Sequence, residues 1–240
     1  MNRSPADLWV YLSASPLLWL TLTLIVWVLA SELAKKLNRH PLVNPVLMSI
    51  LTLAAILFVF EVPYERFFEG AQFIHFLLGP ATVAIALPLY NQRHQVVTLI
   101  VPISMALLIG SIVAVMSVLV LGLAFELPRE IILSLLPKSA TAGVAMAISQ
   151  PLGGNPSLTA VFVIATGIVG ALLVTPLMNL MRIKDYAARG FAVGLTAHGI
   201  GTARAYEVNP TAGLFAGIAM ALNAIATTAV APLAAAWLLS

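Results

Sequence analysis

The sequence LPKSATAGVAMAISQPLGGNPSLTAVFV, Leu136 to Val163, decides the fold of this chain. It lies between long apolar runs, yet it carries a lysine, several hydroxyls, a glutamine and an asparagine. It is also interrupted by the helix-breaking residues Pro137, Gly143, Pro151, Gly153, Gly154 and Pro156. Broken backbone at membrane depth is tolerated only where protein or a water-filled cavity surrounds it. The stretch therefore predicts a helix break that faces a buried or wet site.

The composition of the whole chain indicates a membrane protein. Of the 240 residues, 61% are hydrophobic and 9% are charged, whereas a soluble domain has about 25% charged residues. The apolar segments lack the alternating pattern of a barrel strand, so we expect helices. The candidates for the roughly 20 residues that span a bilayer are Pro16–Ser31, Val46–Phe60, Phe73–Tyr90, Val96–Phe125, Ser157–Met181, Phe191–Ala205 and Thr211–Leu239.

Several classes of function are excluded by the residues that are missing. The chain has no cysteine, which excludes disulfides and thiol catalysis. It has no GxSxG, HExxH or P-loop motif, and its four histidines are dispersed, so we expect no enzyme activity, no cofactor and no metal site. The basic residues are scattered among loops and form no basic face, which argues against nucleic acid.

The charged loops predict how the chain threads the membrane, because Lys and Arg concentrate on cytoplasmic loops. The loops SELAKKLNRHP, NQRHQ and RIKDYAARG are the basic ones, and the loops FEVPYERFFEG and FELPRE are rich in Glu. The N-terminus is then outside, with crossings at 16–34, 45–60, 73–91 and 96–125. Two full crossings after Glu130 would end on the wrong side, so we predict a re-entrant segment at 126–155.

An internal repeat supports this layout. At an offset of 115 residues, ISMALL at 103–108 matches IAMALN at 218–223, although chance similarity among apolar helices is the alternative. We predict a single all-α polytopic membrane domain, 1–240, with two inverted three-element repeats at 45–125 and 156–240. Inverted repeats with broken central helices are typical of secondary transporters. The broken elements here are GPATVAIALP and GLTAHGIGTARAYEVNP.

The segments SATAGVAMAISQPLGGNPSLTAVFVIATGIVGA and GLTAHGIGTARA resemble the LrgB/CidB family of bacterial membrane proteins, to which the plastid glycolate/glycerate transporter is related. The resemblance covers essentially the whole chain. It implies a multi-pass protein of the bacterial cytoplasmic membrane that transports small monocarboxylates such as glycolate, glycerate or pyruvate. The alternative that it implies is antiholin-like control of murein hydrolase activity and lysis with a small LrgA/CidA-type membrane partner. A homodimer is also expected.

A monocarboxylate site needs hydrogen-bond donors or a positive charge in a pocket, and the opening stretch offers both. Lys138 is the lysine inside an apolar segment, although it can instead snorkel to the outer interface. Asn155 can bind an anion at the start of the helix that Pro156 opens, or only cap that helix. The substrate-binding residues predicted from this stretch are Lys138, Ser139, Thr141, Gln150, Gly153, Gly154 and Asn155.

The second broken element adds Thr196, Thr202 and Arg204 to the predicted substrate site. His198 is the predicted proton relay, because histidine titrates in the physiological range; the alternative is a neutral histidine bonded to a facing helix. Arg204 can clamp a carboxylate, or it can form a structural pair with Glu207 at the outer interface. For Asn223, Thr227 and Thr228 on the last helix we predict helix–helix hydrogen bonds.

Overall fold

The computed structural model describes residues 15–37, 43–77, 80, 90 and 93–239. Throughout that part of the chain the regular secondary structure is helical, which confirms the predicted all-α fold. The chain divides into two compact units, Met1–Ala86 and Leu87–Ser240. The boundary between them falls inside the predicted first repeat, 45–125. The repeat boundaries themselves stay a prediction.

Among its described residues, 15–37, 43–77 and 80, the first unit contains the helices α1 (Pro16–Lys36), α2 (Pro45–Val59) and α3 (Tyr64–Phe76). Trp19 of α1 is fully buried, and its ring meets Phe67 edge to face with 6.1 Å between centroids. The sequence FEVPYERFFEG was predicted to be an outer loop, but most of it belongs to α3. The predicted crossing at 73–91 and the element GPATVAIALP lie largely outside the described residues.

The second unit contains the remaining helices. They are α4 (Arg93–Thr98), α5 (Ile100–Ala124), α6 (Arg129–Leu135), α7 (Ala142–Ser149) followed by a 3-10 turn (Gln150–Leu152), α8 (Pro156–Leu180), α9 (Tyr186–Val208) and α10 (Pro210–Leu239). By length and composition α1, α5, α8 and α10 can cross a membrane. This confirms a polytopic membrane protein.

Asn-Pro pairs begin three of these helices. Asn44, Asn155 and Asn209 each accept a backbone N–H with the side-chain oxygen, at 2.8 Å, 3.2 Å and 2.8 Å respectively. Proline suits the first helical position because its missing N–H would be unsatisfied there in any case. The capping role predicted for Asn155 is therefore confirmed, and the third pair opens α10.

The chain doubles back between Arg129 and Asn155, in what we call the first hairpin. The backbone N–H of Asn155 donates to Ser134 Oγ at 2.8 Å, although 21 residues separate the two. Between these points α6 and α7 are only about 10 Å and 12 Å long, at about 1.5 Å per residue. Neither can cross a hydrocarbon core of about 30 Å. Entry and exit at one point are what the predicted re-entrant segment requires.

The chain also doubles back inside α9, in what we call the second hairpin, residues 186–208. His198 has the non-helical angles φ 40° and ψ −131°. A Cβ added at Gly201 would lie 2.9 Å from Val193 O, eight residues earlier, where a straight helix would hold them about 12 Å apart. The arm 199–208 therefore returns along the arm 186–197. The sequence predicted a crossing over Phe191–Ala205, and this prediction is wrong because the helix reverses at its middle.

The two hairpins enter from opposite ends of α8, since the first ends where α8 begins and the second starts just after α8 ends. Their tips meet at Val163. Ala140 of the first hairpin packs against Val163, and His198 of the second is hydrogen-bonded to its carbonyl. Val163 lies seven residues from Pro156, or about 10 Å into the helix. The two broken segments thus converge inside the bundle.

Helices α5 and α10 run side by side in the same direction. Ile103 packs with Phe215 and Ile218, and further along Leu119 packs with Ala234 and Ala235. The second hairpin also packs closely on α10. Gly190 and Gly194 bring its first arm against the backbone carbonyls of Ala212 and Ala216. Small residues permit this approach of backbones in membrane helices. The core of the unit forms where α10 packs against α5 and the second hairpin, and, further along, where Ile132 and Leu136 of the first hairpin pack against α5 and α10.

Candidate functional site

The candidate site is the place where the two hairpin tips meet, which we call the tip junction. It consists of Ser139 from the first hairpin, Val163 from α8, Leu195 and His198 from the second hairpin, and Asn223 from α10. All five residues are buried, and none is more than 5% exposed. Two breaks of helical backbone therefore lie inside protein, as they must at membrane depth.

Asn223 joins three elements at the tip junction. It is fully buried, and its Nδ2 donates to Ser139 O at 3.1 Å and to Leu195 O at 3.0 Å. Its Oδ1 accepts from Ser111 Oγ of α5 at 2.7 Å. The helix–helix hydrogen bond predicted for Asn223 is confirmed. Thr228, by contrast, donates to Ala224 O within its own helix.

Hydrogen bonds hold both the imidazole ring and the backbone carbonyl of His198. Its Nε2 lies 2.9 Å from Val163 O, and Thr202 Oγ1 donates to the His198 carbonyl at 2.7 Å. The imidazole fits because α8 has Gly167 opposite, where a Cβ would lie 2.7 Å from His198 Cε1. The interpretation of His198 as a residue bonded to a facing helix agrees with this geometry. The proton relay stays a prediction.

The foot of the first hairpin is a network of hydroxyls. Ser134 Oγ donates to Glu130 O at 2.7 Å while it accepts from the Asn155 N–H. Thr159 Oγ1 lies 2.7 Å from Ser149 Oγ and donates to Asn155 O at 2.9 Å. Gly153 has φ 90°, a left-handed conformation that favours glycine, and it ends the 3-10 turn. Asn155 is thus a capping residue in a structural network.

The foot of the second hairpin carries the arginines. Arg204 Nη1 lies 3.0 Å from Glu207 Oε2, so the predicted ion pair is present. Arg204 lines a small pocket together with Tyr186, Arg189 and Thr175. We predicted the pair at the outer interface, but the reversal at His198 returns it to the end of the bundle that holds the basic loop RIKDYAARG.

The predicted site residues therefore do not form a single cluster. Ser139, His198 and Thr202 lie at or beside the tip junction, with Lys138 and Thr141 half-buried in the adjoining turn. Gln150, Gly153 and Asn155 are exposed at the foot of the first hairpin, where Gly154 packs against Ser149 and Ser134. Arg204 lies at the opposite foot. Thr196 is exposed and donates to Ala192 O at 2.8 Å.

Ser111, Val163 and Gly167 are among the residues of the tip junction and its surroundings that escaped the sequence analysis. Ser111 is a hydroxyl within the apolar run of α5, and a search for polar residues in that run would have found it. Val163 contributes only its carbonyl and Gly167 only its lack of a side chain. Neither of these roles leaves a signal in the residue type.

A cavity of about 500 Å³ opens beside the second hairpin. It lies between α5 and the arm 186–197, and its walls are apolar except for Asp185 and Thr196. Leu195 lines it, so the cavity reaches the element that contributes to the tip junction. In the described part of the chain, groups of three or more His, Asp or Glu that could hold a metal ion are absent.

Comparisons with known proteins show which family the sequence resembles over nearly its whole length. A model of the LrgB-like family matches residues 23–237. The uncharacterized protein YxaC of Bacillus subtilis (strain 168) is 37% identical over 218 residues, 89% of this chain and 95% of YxaC. Holin-like protein CidB of Staphylococcus aureus (strain Mu50) is 32% identical over 216 residues, 90% of this chain and 94% of CidB.

Holin-like protein CidB of Staphylococcus epidermidis (strain ATCC 12228) is 31% identical over 222 residues, 92% of this chain and 96% of that protein. No solved structure matches the chain. The family model covers nearly all of the sequence, including both hairpins and the helices that hold them. The chain belongs to the LrgB-like family.

Proposed function

We propose that this protein is a holin-like or antiholin-like membrane protein that regulates murein hydrolase activity and cell lysis together with a small holin-like membrane partner. One observation carries the proposal: the chain is 32% identical to holin-like protein CidB over 90% of its length. That alignment spans 216 residues, and the LrgB-like family model spans residues 23–237, which include both hairpins and most of α10. The bacterial cytoplasmic membrane is the proposed location.

The test is co-expression with a small LrgA/CidA-type membrane protein in a bacterium that lacks both. We expect the pair to change the rate of autolysis and the murein hydrolase activity on zymograms, and we expect the two proteins to purify together. Expression of either protein alone should have a smaller effect. The proposal fails if lysis and hydrolase activity are the same with the pair, with each protein alone and with neither.

A second candidate function is transport of a small monocarboxylate, and the opposed hairpins favour it. The two hairpins enter from opposite ends and meet inside the bundle. Secondary transporters with discontinuous helices bind substrate at such a place, where the broken segments meet. A protein that acts only through assembly does not need polar backbone at that depth, since such backbone is costly there.

The chemistry of the tip junction suits a carboxylate. The return arms of the two hairpins begin at Ala142 and Gly199, so both present helix N-termini near the junction. Free N–H groups and the positive end of the helix dipole attract anions. Lys138 lies in the adjoining turn and adds a positive charge. We propose Lys138, Ser139, Thr141 and Thr202 as the lining of the site.

For the residues at the feet of the two hairpins we propose a role other than lining the substrate site. Gln150, Gly153, Gly154 and Asn155 lie at one end of the path to the junction, and Arg204 lies at the other. They are proposed as the two entrances, with Thr196 facing the cavity beside the second hairpin.

Uptake of labelled glycolate and pyruvate into proteoliposomes tests the transport candidate. We expect Lys138→Met to lower the rate about tenfold, corresponding to the loss of a charge-assisted hydrogen bond. Lys184→Met, in the exposed loop after α8, is the matched control and should leave the rate unchanged. Lack of uptake by the unaltered chain, or equal rates for both variants, contradicts this candidate.

A second measurement tests the proton relay. If His198 carries a proton, His198→Gln should abolish accumulation driven by a pH gradient while counterflow exchange survives, because exchange needs no net proton movement. An unchanged response to the pH gradient would assign His198 to the structure of the hairpin alone.

A further inference from the structure

We propose that Asn223 is a clamp that holds the two hairpin tips to each other and to the helix that carries it. The inference goes beyond the proposed function, since it concerns how the hairpins are coupled and holds whether the chain regulates lysis or transports an anion. Asn223 lies 13 residues from the start of α10 and 16 from its end, near the middle of that helix.

The carbonyls that Asn223 binds are groups that the two reversals leave without a helical partner. In an unbroken helix Leu195 O would accept from the N–H of Gly199, but the chain turns away at His198. Ser139 O lies in the turn between α6 and α7. Buried backbone carbonyls are nearly always paired. One side chain supplies the missing donor to both, at 3.1 Å and 3.0 Å.

The amide is the side-chain group that suits this position. Both carbonyls can only accept, so the NH₂ group must face them, and the orientation of the amide is fixed by chemistry. Ser111 Oγ then donates to Oδ1 at 2.7 Å. A carboxylate in the same place would offer no donor to either carbonyl. A hydroxyl would offer one donor where two are needed.

The shared donor group couples the hairpins. If one tip moves away, the other still holds the amide, and the departing carbonyl is left unpaired in a buried site. Such a group is costly. Removal of the amide therefore releases both tips, and movement of one tip is opposed by the bond to the other.

Thiol reactivity in this cysteine-free chain tests the clamp. Ser139→Cys and Thr202→Cys serve as single reporters for the first and second tips, and both residues are 4% exposed. Ala235→Cys is the distant reporter, since Ala235 is fully buried about three turns further along α10. Each reporter is combined with Asn223→Asp, and the rate of N-ethylmaleimide labelling is measured in membranes.

The matched control is Ser111→Ala, which removes only the bond between α5 and Asn223. We expect Asn223→Asp to speed labelling at both tips about tenfold or more, because two hydrogen bonds are lost. Labelling at Ala235→Cys should be unchanged, and Ser111→Ala should change the tips much less.

Faster labelling at one tip alone overturns the clamp, as does faster labelling at all three reporters or at none. If Asn223→Asp does not accumulate in the membrane, Asn223→Ala removes the same two donors without adding a charge and is judged by the same criteria. The readout is reactivity of the folded chain, so failure of either proposed function leaves the result interpretable.

Discussion

The two hairpins reverse the chain by different means. The first turns over residues 136–141, where Pro137 ends α6 and every residue of the turn keeps a negative φ. The second turns at one residue, His198, whose φ of 40° is unfavourable for a side chain with a Cβ. A residue held in such a conformation costs about 1–3 kcal/mol. The local sequence favours the first reversal, whereas the local sequence does not favour the second, which needs an unfavourable conformation at His198.

The contacts around each hairpin account for the difference. The foot of the first hairpin is fastened by hydroxyl groups of its own segment and of α8. The second is held mainly from outside, by close packing of Gly190 and Gly194 on α10 and by the bond from His198 to Val163 O. A strained reversal persists when its surroundings fix it, and here the surroundings are α8 and α10.

The largest expected effect concerns the side of the membrane on which the second hairpin ends. Val208→Cys should react with an impermeant thiol reagent from the same side as Lys184→Cys, and from the side opposite to Glu130→Cys. All three positions are exposed. The result is all or none, because a straight crossing would put position 208 with position 130. If positions 208 and 130 are labelled from the same side, the reversal of the chain in the second hairpin is contradicted.

The next effect breaks the second hairpin where it meets α10. Gly194→Ala should lower stability by about 3 kcal/mol, since the added Cβ would collide with the backbone of Ala216, which cannot move aside. Gly143→Ala is the control in the first hairpin, where a Cβ would have nothing within 4 Å. It should leave the thermal unfolding midpoint unchanged or raise it. Similar midpoints for the two variants would contradict the close packing.

A smaller effect loosens the foot of the first hairpin. Ser134→Ala removes both the acceptor for the Asn155 N–H and the donor to Glu130 O, so the loss of two hydrogen bonds should cost about 1–2 kcal/mol. Ser117→Ala is the control, because that hydroxyl donates only to Ala114 O in its own helix. Unfolding midpoints in detergent compare the two, and equal losses would show that the foot does not depend on Ser134.

The smallest effect separates the strain at the second tip from its hydrogen bond. Asparagine tolerates positive φ better than most residues, so His198→Asn should keep the reversal and lose only the bond to Val163 O. We expect a loss of about 1 kcal/mol. His198→Ile, a β-branched residue that resists this conformation, should lose more. The comparison fails if both variants have the same unfolding midpoint.

The first hairpin could be predicted because its signals are local. Pro137, Pro151 and the Gly153–Asn155 break interrupt an apolar run, and all of them lie within the segment that doubles back. The Arg204–Glu207 pair was also predicted from its spacing. Its place at the other end of the bundle was not, because that depends on the turn at His198. Glycines also occur at packing contacts between membrane helices, so a glycine in such a helix does not by itself indicate a break.

The sequence by itself determined the helical membrane fold, the Asn-Pro caps and the first reversal, because each depends on the composition or on residues that are neighbours in the chain. Only the tertiary structure decided that the second segment turns back and that both tips meet at Val163 and Asn223. The physical reason is that these contacts depend on the backbone carbonyl of Val163 and on the absence of a side chain at Gly167, which the residue types do not reveal. Their partners lie 35 residues away for His198 and Val163, and 84 for Asn223 and Ser139.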